Sequence, residues 1–404
     1  MDWKDMSSKF THKWCTSIDD IRKEDWIKIY GTDIIKNQNF FRANERACFD
    51  GVEFHYLQVF SGNSIVAIVP CFSYCIDILN ITSSNSVRRR LVWIRRFYPA
   101  FLKLRAFVTG SYAATCEHFI EYLPTLKSNE IKEVSEILSN EIKKRCNETK
   151  SAFIFIKDVR ERAILHVRKI LTNDYSFFIS FPTTAIPILK EVPYPEGLKK
   201  KNRKRYRKYR KIFDSSFYWE IVTDFSGEKA IEFYALYKAV LDKAKNKFEF
   251  LNSSFFDYIS SFLGEQSFIL VAKDKVSGEI RVMELVLENE EKLIPLYLGI
   301  KYKEDDTKVL YLNTIFRTVR EAECRGKAYV DLGQTSYYPK TMSGALVENI
   351  YYGFWSSKPI ARWFINHFLK KIFTLPSIPE HVYLEKDADE AHRVLTDRGF
   401  VLRN

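Results

Sequence analysis

The sequence predicts a two-domain α/β chain whose strands are mainly antiparallel and are covered by helices. Three observations carry this expectation. Apolar runs of strand length are separated by turn signals rich in glycine and asparagine. Amphipathic segments of helical period lie between those runs. A proline–glycine break falls near the middle of the 404 residues, a length that suits two domains of ordinary size.

In the first half, Ile18 to Tyr30 reads as a short helix, capped by Asp19 or Asp20 and followed by Gly31. Phe54 to Phe60 and Ser64 to Leu79 read as strands, and Gly62-Asn63 between them signals a hairpin. Ser86 to Phe97 is a basic run with Arg88, Arg89, Arg90, Arg95 and Arg96. Leu104 to Thr109 is a further strand. Ser128 to Cys146 is an amphipathic helix, with Ile131, Val134, Ile137, Leu138 and Ile142 on one face. Ala152 to Ile156 reads as a buried strand and Ala163 to Leu171 as a helix. Tyr175 to Phe181 and Thr184 to Leu189 are extended again. Glu191 to Gly197 carries Pro193, Pro195 and Gly197, which break regular structure, so the domains are expected at 1–190 and 191–404.

In the second half, Leu198 to Ile212 reads as a very basic helix around KKKNRKRYRKYRK, with Tyr206, Tyr209 and Ile212 on one side. Like charges at helical spacing repel, so the density points to an anion-binding element as readily as to a solvated face. Trp219 to Thr223 is a strand, and Gly227 to Asn246 and Ser253 to Leu263 are helices. Ser267 to Lys273, Ile280 to Leu287 and Lys292 to Ile300 form an antiparallel meander with turns at Val276–Gly278 and Asn289–Glu291. A loop with Asp305, Asp306 and Thr307 leads into a helix from about Val309 to Glu323, ended by Gly326. Ala328 to Leu332 is a strand that runs into Gly333. Pro359 to Phe373 reads as an aromatic amphipathic helix that packs on the core or lies on a membrane surface, and Ala388 to Gly399 as the last helix.

Composition narrows the class. Hydrophobic residues make up 46% of the chain, enough for packed cores. Lys and Arg outnumber Asp and Glu by 63 to 51, a net charge of +12, so anions such as phosphates, nucleic acid or acidic lipid are natural partners. The seven cysteines include no CxxC pair, which reads as buried free thiols in a reducing compartment. Met1 to Lys13 has no apolar signal core, and no run approaches the roughly 18 apolar residues of a spanning helix, so a cytoplasmic protein is expected. There is no GxSxG elbow, no phosphate loop of the GxxxxGK[ST] kind and no GxGxxG after a strand. The seven histidines are scattered, and nothing argues for a metal.

The run from Gly278 to Ala345 resembles the acyltransferase domain of the GNAT superfamily in its FemAB-type, two-domain branch. The resemblance rests on the turn at Gly278, the Tyr297-x-Gly299 strand end, the helix from Val309, and DLGQTSYYPK ending at Lys340. It is weaker over Leu198 to Phe268, and in the first half only FYPAFLKLRAFVTGS is similar to the N-terminal part of such proteins. It implies tandem GNAT-like domains and an enzyme that builds an amide from an acyl donor and an amine. Glu284, mid-strand between apolar neighbours, is a candidate base if burial raises its pKa. Tyr337 is a candidate proton donor and Lys340 a candidate for binding phosphate or carboxylate. Tyr297, Gly299, Tyr311, Asn313, Asp331, Gln334 and Ser336 are expected to bind donor and substrate, with Lys204 and Arg207 on the basic helix.

No glycine lies between Gly299 and the following helix, unlike the glycine-rich loop of acetyl-CoA sites. The donor is therefore open among acyl-CoA as co-substrate, a carrier-protein thioester and an aminoacyl-tRNA. The acceptor is expected to be an amine of a small molecule or cell-envelope precursor. A non-enzymatic nucleic-acid-binding protein is the third reading of the basic helix.

Overall fold

The computed structural model describes residues 9–77, 79, 89, 92–113, 116–171, 174–244, 247, 249–303, 306–364, 367 and 382–403. Arg88, Arg90, Asp305 and most of the Pro359–Phe373 segment beyond Phe364 lie outside the described residues.

The first half contains β1 (Phe10–Cys15), α1 (Lys23–Tyr30), α2 (Gln38–Arg46), β2 (Glu53–Ser61), β3 (Ser64–Asp77), β4 (Lys103–Thr109) and the short β5 (Glu121–Tyr122). Then come α3 (Ser128–Glu148), β6 (Phe153–Arg160), α4 (Ile164–Leu171), β7 (Ser176–Ile179) and β8 (Thr183–Pro187). The second half opens with α5 (Lys200–Ser216), β9 (Phe217–Val222), α6 (Glu228–Lys243), α7 (Ser253–Leu263), β10 (Ser267–Asp274), β11 (Ile280–Glu288) and β12 (Lys292–Ile300). It closes with α8 (Thr307–Cys324), β13 (Tyr329–Gly333), α9 (Tyr337–Met342), β14 (Leu346–Glu348), β15 (Ile350–Trp355), α10 (Pro359–Phe364) and α11 (Glu385–Thr396).

The first sheet runs β1-β2-β3-β4-β6-β15-β7, with β5 on the side of β3, and the second runs β9-β10-β11-β12-β13-β8-β14. Both are mixed. Each is antiparallel except at one parallel pair, β4 with β6 and β12 with β13. The two orders match element for element: two helices follow the first strand, one follows the fourth, and a short one follows the fifth. The sixth place is filled by exchange. β8 leaves the first half to sit between β13 and β14, and β15 leaves the second half to sit between β6 and β7. A division of the chain at 190/191 therefore leaves one strand of each sheet on the far side of the cut.

The halves also share a core. One apolar cluster joins Trp26, Phe40, Phe41 and Phe72 of the first half to Phe233, Phe255, Met283 and Leu285 of the second. The amides of Asn39 and Asn252 donate to the carbonyls of Phe262 (3.0 Å) and Ala47 (2.7 Å), so α2 and α7 are pinned to each other's chain ends. The opposite sheet faces carry separate cores, under α3 and α4 in the first sheet and under α8 in the second.

Local sequence explains the elements. Gly62 takes φ 57° in the β2–β3 turn, a region where a side chain is strained. Asn252 caps α7 by accepting from the Phe255 amide at 3.0 Å. The basic helix differs from the expected packing by one residue: Ile212 is exposed, and Phe213 is the buried anchor. Cys71, Cys116 and Cys146 are buried, but Cys48, Cys75 and Cys324 are exposed, so the expectation of buried thiols holds for only some of the seven; all are free. Among the described residues no helix is long and apolar enough to cross a membrane.

Candidate functional site

The parallel pair β12/β13 holds together over two residue pairs only, Lys292 with Tyr329 and Leu293 with Val330. Past that point β12 runs on to Ile300 beside β11 alone, after a register shift opposite Leu285/Val286. The second sheet therefore opens into a cleft between β12 and β13, with α8 over one face. The corresponding pair in the first sheet stays joined over four residue pairs, Ala106–Thr109 with Phe153–Ile156. Beyond it, Lys157 Nζ donates to the Ser111 carbonyl at 3.0 Å and ties the two sides together. The open cleft belongs to the second sheet.

Four of the expected site residues meet beside that cleft on the α8 face. Glu284 lies between Val282 and Val286, which pack under α8, and opposite Leu298 of β12. Burial pushes its carboxyl up to about 8, against the smaller opposing effects of the Thr318 hydroxyl and the Lys340 ammonium. Glu284 Oε2 is in short hydrogen-bond contact with Thr318 Oγ1, which also lies 3.0 Å from the Thr314 carbonyl. A hydroxyl has one hydrogen. It satisfies both neighbours when a protonated Glu284 donates to Thr318 and Thr318 donates to Thr314. That arrangement and the raised pKa agree.

Lys340 stands across the cleft mouth at the end of β13. Its ammonium is buried and donates to the carbonyls of Leu332 (2.7 Å), Gly333 (3.3 Å) and Gln334 (2.7 Å), which uses all three of its hydrogens. Burial pulls it down to about 8, although Cys116, Asp331 and Glu284 each favour the charged form. Tyr311 of α8 and Ser336 share a hydrogen bond, and burial raises the Tyr311 hydroxyl to about 12. Ser336 and its neighbour Thr335 take φ 51° and 66°, so the turn that places them is held in the left-handed region without glycine.

The remaining expected residues lie elsewhere. Tyr297 points to the opposite sheet face and packs edge-on against Tyr237 and Phe255. Gly299 is where β12 meets α6: a Cβ there would sit 2.6 Å from the Leu236 carbonyl carbon and the Tyr237 nitrogen. Gly299→Ala is expected to destabilise the protein by about 1–3 kcal/mol in urea unfolding, as overpacking does; an unchanged midpoint contradicts this contact. Asn313 donates to the carbonyls of Tyr209 (3.0 Å) and Val309 (2.8 Å) and so joins α8 to α5. Gln334 donates to the Phe181 carbonyl at 2.7 Å and the Tyr337 hydroxyl to the Pro182 carbonyl at 2.9 Å. Both stitch the turn after β13 to the residues that lead into the exchanged strand β8. Burial raises the Tyr337 hydroxyl, which disfavours it as an acid. On α5, Lys204 is exposed in solvent, and Arg207 pairs with Glu196 at 3.0 Å.

Asp331 belongs to a buried ion cluster that sequence reading missed. Arg160, at the end of β6, holds Glu117 at 2.6 Å, Asp331 at 2.6 Å and Glu348 at 2.8 Å. Those partners come from both halves. Burial works against the charge on Glu117, yet Arg160 and Arg162 hold it down to about 2. Burial prevails at Glu348, which is raised. At the start of α8, the buried Arg281 pairs with Asp306, which neutralises an acid at that helix end.

Glu284 makes a stability prediction. A carboxyl raised to about 8 in the fold, from about 4.5 unfolded, contributes fully below pH 4.5 and loses that contribution as pH rises through 8. The wild type is expected to lose up to about 1.4 kcal/mol per pH unit across that window relative to Glu284→Gln. Urea unfolding of both proteins from pH 5 to 8.5 checks it; parallel curves contradict the raised pKa.

No protein-family model and no curated protein sequence matches the chain. Solved structures do. FemX superposes with a TM-score of 0.52 at 11% identity, over 87% of this chain and 99% of that one. A tandem GNAT protein from the clavulanic acid biosynthesis pathway does so with a TM-score of 0.50 at 9% identity, over 87% and 99%. At these identities the likeness establishes the fold. The chain has the tandem GNAT fold, in the two-domain form that FemX shares.

Proposed function

We propose that this protein is an N-acyltransferase that works in the β12/β13 cleft. It moves an acyl group from a thioester, acyl-CoA or a carrier-protein thioester, to the amine of a small molecule or cell-envelope precursor. The observation that carries this reading is the protonatable pair Glu284 and Lys340 beside the cleft where the parallel pair β12/β13 parts. In the reaction the amine nitrogen attacks the thioester carbonyl, the N–C bond forms and the C–S bond breaks. Ionised Glu284 takes the proton that nitrogen loses, and the departing thiolate takes one from solvent. Catalysis by ionised Glu284 has a rate that rises with pH through about 8. The start of α8, with the exposed Lys308 on its first turn, suits the phosphates of a coenzyme A donor. Thiol release from acyl-CoA with a panel of amines tests the proposal.

A second reading takes aminoacyl-tRNA as donor. It is favoured by Lys201, Lys204, Lys208 and Lys211, all exposed and spaced along one side of α5. In that case tRNA affinity falls steeply with salt, and Lys201→Glu with Lys204→Glu and Lys208→Glu lowers the log–log slope by about 3. An affinity that stays flat with salt removes both this reading and that of a nucleic-acid-binding protein.

A further inference from the structure

One end of the first sheet carries a surface that the cleft does not use. β3 ends at Asp77 beside the start of β4, Lys103, and the segment joining them returns to the sheet there. β15 ends at Trp355 beside Ile154 of β6, and α10 follows. The two departures are adjacent: the Ala152 amide donates to the Arg105 carbonyl at 2.7 Å, and Ser356 Oγ donates to the Ala152 carbonyl at 2.8 Å. Residues 92–102 and α10 therefore rise from the same edge.

Their exposed side chains are of one kind. Trp93 is 62% exposed, Phe97 65%, Tyr98 69% and Trp363 56%. These rings are held out by structure. Arg95 forks onto both oxygens of Asp77, at 2.6 and 2.9 Å, and also donates to the Phe101 carbonyl at 2.6 Å, which fixes the turn that carries Trp93 and Phe97. Arg96, Lys103, Lys358 and Arg362, in or beside the same segments, are exposed.

The two segments carry charge of one sign, and the nearby acids Glu53 and Asp174 are paired with Arg105 and Lys143. No Asp or Glu occurs between Asp77 and Glu117, a stretch with seven Lys and Arg, nor between Glu348 and Glu380, a stretch with four. The surface of a soluble partner carries both signs, and recognition of it uses acids as well as bases. A layer of anionic headgroups asks for cations alone, with Trp and Tyr at the level where an apolar ring meets a wet edge.

We propose that this edge, residues 92–103 with the start of α10, docks the protein on an anionic membrane surface. The contact is peripheral: Trp93, Phe97, Tyr98 and Trp363 enter the headgroup layer while Arg96, Lys103, Lys358 and Arg362 face the lipid phosphates. β6 spans about 23 Å from this edge to Arg160, by the rise of its eight residues. The cleft of the second sheet is thereby left clear of the bilayer. The inference does not rest on the proposed chemistry.

Vesicle co-sedimentation tests it, with the full chain and vesicles of phosphatidylcholine alone or mixed with phosphatidylglycerol. The protein is expected to bind the anionic vesicles and not the neutral ones, with brominated lipid quenching its tryptophan fluorescence. Trp93→Ala with Trp363→Ala, and separately Arg96→Glu with Arg362→Glu, are each expected to weaken binding by about tenfold or more. Both variants change exposed side chains, so thiol release with a soluble amine stays as in the wild type. No binding to anionic vesicles overturns the proposal. So does binding that survives both variants but is lost on Lys201→Glu with Lys204→Glu and Lys208→Glu, which would place the contact on α5.

Discussion

Arg160→Met is expected to destabilise the protein by about 3–5 kcal/mol, the loss typical of removing one partner from a buried ion cluster. The guanidinium is fully buried, and its three carboxylate partners come from a loop of the first half and from β13 and β14 of the second. Without it, Glu117, Asp331 and Glu348 face one another in a low-dielectric interior. Methionine fills similar volume, so the loss reports the missing charge rather than a cavity. The pH dependence gives an independent sign. Glu117 is held at about 2 in the fold, so its contribution is present above about 4.5 and is lost as pH falls through 2. In Arg160→Met the largest part of that contribution is lost, Arg162 remaining beside Glu117, and the gap between the two proteins narrows as pH falls below 4.5. Urea unfolding at pH 7 and 4 measures both effects. A loss under about 1 kcal/mol contradicts the reading of Arg160 as the lock between the halves.

That lock shows what the sequence discloses and what it does not. The β2–β3 hairpin, α3, the β10–β12 meander and α8 are all legible, because turn residues and apolar period are local signals. β1 and α2 are not read, since their charged and amide residues dilute the pattern. The exchange of β8 and β15 is invisible for a different reason. Alternation reports that a strand is buried, but not which sheet receives it. Arg160 meets Asp331 and Glu348 across 171 and 188 residues, beyond any motif spacing. The Asp331–Lys340 turn was legible as a special segment, and two of its residues, Ser336 and Lys340, reach the cleft. Asp331, Gln334 and Tyr337 instead join the halves. For Glu284 the strand was plain and the face was not, because both sides are apolar; packing under α8 settles it.

Lys340→Met is expected to lower turnover by about 100-fold or more, the scale of losing a group that sets proton transfer. The lysine acts by position: it holds the Leu332, Gly333 and Gln334 carbonyls and keeps a positive charge near Glu284. Removing it leaves three carbonyls without that donor, so some loss of thermal stability accompanies the loss of rate. A purely structural role would stop there. The electrostatic role also moves the pH–rate profile. Lys340 favours ionised Glu284, so its loss pushes the Glu284 carboxyl further above 8, and the rising limb of the profile shifts to higher pH. Lys340→Arg keeps the charge and is expected to keep the limb near its wild-type position. Wild-type rates in Lys340→Met, or a lowered rate with an unmoved limb, contradict this assignment.

The most direct test of acyl transfer in the second cleft is a single assay on three proteins. Wild type, Glu284→Gln and Arg96→Glu with Arg362→Glu are incubated with acyl-CoA donors and a panel of soluble amines. Free thiol is followed by colour reagent and amide product by mass spectrometry. Wild type and the double surface variant are expected to release thiol and form the amide in equal amounts, with a rate rising through about pH 8. Glu284→Gln is expected to stay folded and to lose most of that rate along with its pH dependence. No thiol release with any donor, together with no donor-induced rise in melting temperature, would contradict a thioester-dependent acyltransferase.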